Sequence, residues 1–107
     1  MNDSRNIERI RIYCSKIIRY MNGILSFDMF LANEEKVDAI ILNLEQIGET
    51  AKKLTNGARQ TYPNINWKRI IGLRNMIAHE YEGILLQIIY EIACNDIPKL
   101  ILNITNN

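Results

Sequence analysis

Four residues with chemically useful side chains fall within the eight-residue stretch "RNMIAHEY": Arg74, Asn75, His79 and Tyr81. His79 is the only histidine in the chain. A guanidinium grips two phosphate oxygens in a planar fork. An imidazole with an unperturbed pKa near 6.5 can take or give a proton near neutrality. RNA cleavage without a metal needs both of these functions. A proton must leave the ribose 2′-OH, another must reach the 5′-oxygen leaving group, and charge building on phosphorus must be offset. No carboxylate cluster or Cys/His set in the sequence has metal-ligand spacing, so metal-dependent hydrolysis and a bound cofactor are both poorly supported.

Helical periodicity places this set. Ile70, Arg74, Ile77 and Tyr81 are spaced 4, 3 and 4, which puts the arginine on an apolar stripe facing the core. An unpaired guanidinium there is costly. It can snorkel to the rim, pair with an acid of its own bundle, or lie in a cleft where a second subunit or an anion meets it. Asn75 and His79 are neighbours one turn apart, about 40° around the helix, whereas Arg74 is about 140° from His79. A twofold dimer crossing near this helix would bring an arginine and a histidine from each chain into one cavity. His79 also has a purely structural reading as a hydrogen-bonding residue, and Tyr81 as a ring packed on its stripe.

The remaining chain supplies a helical frame. Ile7, Ile10, Cys14, Ile17, Ile18 and Met21 mark one face of a first helix stopped by Asn22-Gly23. A short helical turn is expected over 26–31, with Asn33 as the next N-cap. Val37, Ile40, Ile41, Leu44, Ile47, Gly48, Ala51 and Leu54 form the cleanest stripe, closed by "TNG" at 55–57. Gly48 sits inside it, which points to close approach of another backbone. "TYPNIN" at 61–66 reads as a loop ending in Asn66, the N-cap of a third helix running from near Trp67 to Gly83. Ile84, Leu85, Ile88, Ile89 and Ile92 predict a fourth helix, and Asp96 the cap of a last short one, with Pro98 in its first turn. The fold class expected is all-α, an antiparallel four- to five-helix bundle.

With 107 residues, one domain spanning 1–107 is expected, flexible at 1–4 and 104–107. The chain has no membrane-length apolar run and no signal-peptide pattern, and Cys14 and Cys94 lie far apart, so a reduced cytoplasmic protein with buried, inert thiols is expected. The net charge of +1 hides an uneven distribution. Thr50 to His79 contains no acid and six bases, Lys52, Lys53, Arg59, Lys68, Arg69 and Arg74. That balance suits a phosphate-rich partner.

"RNMIAHEY" resembles the R-x-x-x-x-H-x-Y signature of the HepT-like branch of the HEPN superfamily. "LEQIGETAKKL" at 44–54 and "YPNINWKRIIGLRN" at 62–75 resemble that family's second helix and its entry to the motif helix, so the likeness covers most of 35–83. The resemblance implies a helical homodimer with a composite interface site, acting on RNA as a metal-independent endoribonuclease toxin. It implies as partner an MNT-type nucleotidyltransferase antitoxin that transfers AMP to the motif tyrosine. Carried over by position, Arg74 binds phosphate, His79 is the general acid/base, Asn75 supports them, and Tyr81 accepts AMP. Lys52, Lys53, Lys68 and Arg69 are candidate RNA-backbone contacts, and Glu49 a candidate partner of Arg74 or His79. Two other readings stay open: a catalytically silent HEPN module for dimerisation or for nucleotide or protein binding, and a helical adaptor without a nucleic-acid role.

Overall fold

Five helix starts are capped by side chains close in sequence, which is why their boundaries are legible locally. The computed structural model describes the backbone of residues 2–79 and 82–105, and the side chains among these outside 78–84. Asn2 accepts from the Arg5 N–H at the start of α1 (Asp3–Met21), and Ser26 from the Met29 N–H at the start of α2 (Phe27–Leu31). Asn33 caps α3 (Glu34–Lys52), Thr55 caps α4 (Asn56–Thr61) and Asn66 caps α5 (Trp67–Ile71). Each such cap is worth roughly 1 kcal/mol. Beyond them come α6 (Leu73–His79), α7 (Glu82–Glu91), a π-helical segment (Ile92–Asp96) and α8 (Ile97–Thr105). Among the described residues there is no strand, as the all-α reading expected. No described helix is long and apolar enough to cross a membrane.

The long pair α1 and α3 forms the centre and runs antiparallel. The start of α1 meets the end of α3, where the Thr55 N–H and hydroxyl donate to the two carboxylate oxygens of Asp3 at 3.1 and 2.6 Å. The end of α1 meets the start of α3, where Lys36 Nζ donates to the Asn22 carbonyl at 3.3 Å. Gly23, at φ 86°, makes the turn between them. Between the pair lie Ile10, Cys14 and Ile17 of α1 and Ile40, Leu44 and Ile47 of α3, all fully buried. Each buried side chain of that size stabilises the fold by about 1.5–3 kcal/mol. Ile89, Ile97 and Phe30 close the core from the C-terminal run and α2.

Several expectations need correction. Thr55 does not simply end a helix: it begins α4, a segment with too little apolar periodicity to be seen in the sequence. The third helix is divided at Gly72, where the backbone flattens to φ −72°, ψ −11° while the Gly72 N–H still reaches the Lys68 carbonyl at 3.1 Å. Asp96 caps no separate helix. It belongs to the π-helical segment that joins α7 to α8 without a break, with the Ile97 N–H bonding five residues back to Ile92. The physical cause is Pro98, which has no N–H and whose ring crowds the preceding turn, so the wider π geometry carries the helix through. Cys14 is buried, and burial pushes its thiol up to about 12, but Cys94 is exposed rather than buried. Near the ends, Asp3 is bonded to Thr55 and Ile104 is buried.

Gly48 is where α3 receives the motif helix. A Cβ at this position would stand 3.2 Å from the Ile70 carbonyl oxygen and 3.4 Å from the Arg74 nitrogen. Only a residue without a side chain allows the two backbones to approach so closely.

Two outcomes test these contacts. Gly48→Val should destabilise the protein by about 1–3 kcal/mol, because a branched side chain meets backbone that cannot swing aside; urea unfolding measures this. The Asp3 carboxyl is held below its ordinary range, first by the Thr55 hydroxyl and then by the Thr55 N–H. A lowered pKa contributes stability above the ordinary value of 3.8, lost as pH falls through the folded value. Thermal melts of wild type and Asp3→Asn should therefore differ at pH 7 and converge in strong acid.

Candidate active site

The site is built on the Gly48 contact. Because α6 lies directly against α3 there, residue 49 of one helix and residue 74 of the other are brought side by side. Arg74 Nε stands 2.9 Å from Glu49 Oε1, with 54% and 39% of the two side chains exposed. The stripe reading placed Arg74 facing the core, and this is corrected. Leu73 is the buried residue, while Ile70 and Ile77 are only half-buried, so the flattened backbone at Gly72 turns Leu73 inward and Arg74 to the margin. Of the three ways to accommodate the arginine, pairing with an acid of its own bundle is the one seen.

An ion pair this exposed contributes about 0–1 kcal/mol to stability. Its effect is on orientation. Glu49 engages the Nε edge, and among the described residues no other carboxylate pairs with the guanidinium. The terminal nitrogens are left as donors for an anion arriving from solvent. Asn75 is exposed beside it. His79 is the last residue of α6, one turn after Asn75, and its side chain lies outside the described residues, as does Tyr81 altogether.

The basic residues divide by type. Each arginine of the acid-free segment has a protein partner. Arg59 donates to the Ala51 and Lys52 carbonyls at 3.4 and 3.2 Å, closing the C-terminal end of α3 where a cation is favoured. Arg69 pairs with Asp96 at 2.9 Å, and Arg74 with Glu49. Lys52, Lys53 and Lys68 are exposed. Trp67 is buried and donates from Nε1 to the Arg59 carbonyl at 3.0 Å, with Tyr62 edge-on to its ring, which fixes the 62–66 loop beside α5. Among the described residues, no three His, Cys, Asp or Glu converge as metal ligands.

The sequence reading missed the other side of α5. Asp96, Lys99, Leu100 and Asn103 line a cavity of about 300 Å³ together with Arg69, Ile70 and Leu73. The i, i+3, i+4, i+7 spacing carries the signal, but an Asp two residues before a Pro reads as a helix cap and hides it.

Comparison with known proteins agrees with the motif. The family model described as "Ribonuclease HepT-like" matches residues 10–106. A protein of Methanocaldococcus jannaschii provisionally named as an RNase is 31% identical over 97 residues, covering 85% of this chain and 89% of that protein. A Caldanaerobacter subterraneus protein named in the same way is 35% identical over 94 residues, covering 88% and 83%. A Thermococcus cleftensis protein provisionally named ribonuclease HepT is 30% identical over 76 residues, covering 71% and 69%. No solved structure shows a significant match. With the family pattern extending over all but the first nine residues and the last, this chain belongs to the HepT-like ribonuclease family.

Proposed function

We propose that this chain is a single-domain, metal-independent endoribonuclease that works in the cytoplasm as a homodimer, with a composite site made by Arg74 and His79 of both copies. The observation that carries this reading is the arginine of the family motif, half-exposed and paired through its Nε with Glu49. The ribonuclease names of its relatives support the substrate class.

The reaction proceeds in one displacement. One His79 imidazole takes the proton of the ribose 2′-OH, and the 2′-oxygen attacks phosphorus in line with the 5′-oxygen. Charge gathers on the non-bridging oxygens, where Arg74 offsets it. The protonated His79 of the other copy gives its proton to the departing 5′-oxygen. The products are a 2′,3′-cyclic phosphate and a 5′-hydroxyl. Asn75, one turn before His79, supports the imidazole or a phosphate oxygen, and Lys52, Lys53 and Lys68 track the RNA backbone. Arg69, paired with Asp96, joins them only by leaving that partner.

The proposed biological setting is a toxin–antitoxin pair. Its neutralising partner is an MNT-type nucleotidyltransferase that adds AMP to Tyr81: the phenolate oxygen attacks the α-phosphorus of ATP and pyrophosphate leaves. A charged adduct two residues from His79 would repel RNA and fill the cavity it enters.

A catalytically silent module is the second reading, favoured by one observation: Arg74 already has a counter-ion within its own chain. The two readings separate on cleavage. Purified protein should cut single-stranded RNA in excess EDTA and leave cyclic phosphate ends. Arg74→Ala should slow this by roughly 10²–10³-fold and His79→Ala by roughly 10²–10⁴-fold, both with melting temperatures near wild type. Undiminished cleavage in His79→Ala removes its assignment, and no cleavage by a folded wild-type dimer favours the silent module. Co-expression with an MNT-type enzyme should add the mass of one AMP, and Tyr81→Phe should abolish that gain; if it persists, another residue is the acceptor.

A further inference from the structure

Two helical stripes with the same spacing face each other across an open groove. Asn66, Arg69, Ile70 and Leu73 recur at i, i+3, i+4 and i+7 along α5 and the start of α6. Asp96, Lys99, Leu100 and Asn103 repeat that spacing from the π-helical segment into α8. The Arg69–Asp96 ion pair spans the gap at 2.9 Å. The remainder is a cavity of about 300 Å³ with two kinds of surface. Its apolar surface is half-buried Ile70, with Leu73, Ile97 and Leu100 buried behind it. Its rim carries the Asn64 and Asn103 amides and the Lys99 ammonium. Among the described residues these amides make no hydrogen bond and Lys99 has no ion-pair partner, whereas the Asn66 amide is occupied in capping α5.

That division of surfaces sets the chemistry of a ligand. It must offer a flat body able to lie on aliphatic side chains, an edge with both donors and acceptors for amides, and a negative charge for the ammonium. A nucleotide has all three, and the volume is at the lower end of ligand-sized pockets. Position adds a second reason. Ile70 lines the groove and stands four positions before Arg74, across the division at Gly72. The groove therefore adjoins the segment that carries Arg74.

We propose that this groove is a nucleotide subsite for single-stranded RNA, in which Asn64 and Asn103 meet the base edge, Lys99 holds the attached phosphate, and half-buried Ile70 supports the base face. Its location beside the bond to be cut rests on the ribonuclease reading, but binding in the groove can be measured apart from cleavage. The groove then biases which base neighbours the cleavage point, because an amide pair left unmatched by the wrong base edge loses its hydrogen bonds.

The test uses uncleavable 2′-deoxy-substituted tetranucleotides of A, C or U, with binding followed by fluorescence anisotropy on the full chain. Lys99→Ala and Asn103→Leu should each weaken binding by roughly 5- to 10-fold. Lys99→Ala should also lower the slope of log K against log salt by about 0.7, the loss of one phosphate contact on a single strand. Asn103→Leu should reorder the preference among the three bases. Leu102→Ala, on the exposed side of α8, serves as the control and should change neither quantity. Circular dichroism establishes that each variant is folded. If both groove variants bind like wild type with an unchanged salt slope, the subsite is overturned even where EDTA-resistant cleavage persists. If groove-dependent binding appears but wild type never cuts RNA, the subsite stands and the nuclease reading falls.

Discussion

The candidate site depends on the contact of Gly48 with the backbone of residues 70–74. A missing side chain on α3 lets the motif helix sit against it at a distance that any Cβ would have to widen. The approach acts together with the flattened backbone at Gly72. Glu49, the next residue, is brought to Arg74 and fixes the direction of its guanidinium. Leu73 is turned into the core, so the segment is anchored by an aliphatic side chain immediately beside its charged one. The guanidinium is thereby held on a packed element while staying in water, a combination that an arginine on a loop would not have.

The partners of the basic residues follow their side-chain chemistry. A guanidinium is planar, weakly hydrated and able to hold two acceptors at once, so the three arginines of the acid-free segment close a helix end, join α5 to the π-helical segment and dock α6 on α3. An ammonium is a strongly hydrated point charge, and Lys52, Lys53 and Lys68 remain in solvent. The six positive charges counted in the sequence are thus not six equivalent places for a polyanion. The lysines supply an unpaired field, whereas each arginine must exchange a protein partner or share it.

The C-terminal run shows a local rule giving way to packing. Pro98 and Asp96 together look like the start of a new helix. Instead the chain passes through one π-helical segment, keeping Ile97 and Leu100 on the buried side while Asp96 reaches Arg69. One widened turn costs less than exposing those two side chains. Asp96, Lys99 and Asn103 share one side of the groove by their i, i+3, i+7 spacing.

The sequence by itself determined what depends on near neighbours: the caps at Asn33 and Asn66, the turn at Gly23, the α3 stripe, the all-helical class and the family motif. These are set by hydrogen bonds and periodicities spanning three to eight residues, and they can be read from residue types alone. It also showed that Gly48 must face something close. It did not show what that was; it offered Glu49 as one candidate partner of Arg74 without deciding between that and an inward-facing arginine, and it gave no sign that Arg69 would be taken by Asp96 or that Asp3 would grip Thr55 across 52 positions. Those partners are far apart along the chain, and their meeting depends on how helices cross and where each flattens. Only the tertiary structure decided them, because a one-residue change in helical phase at Gly72 or Ile92 sends a side chain to a different neighbour.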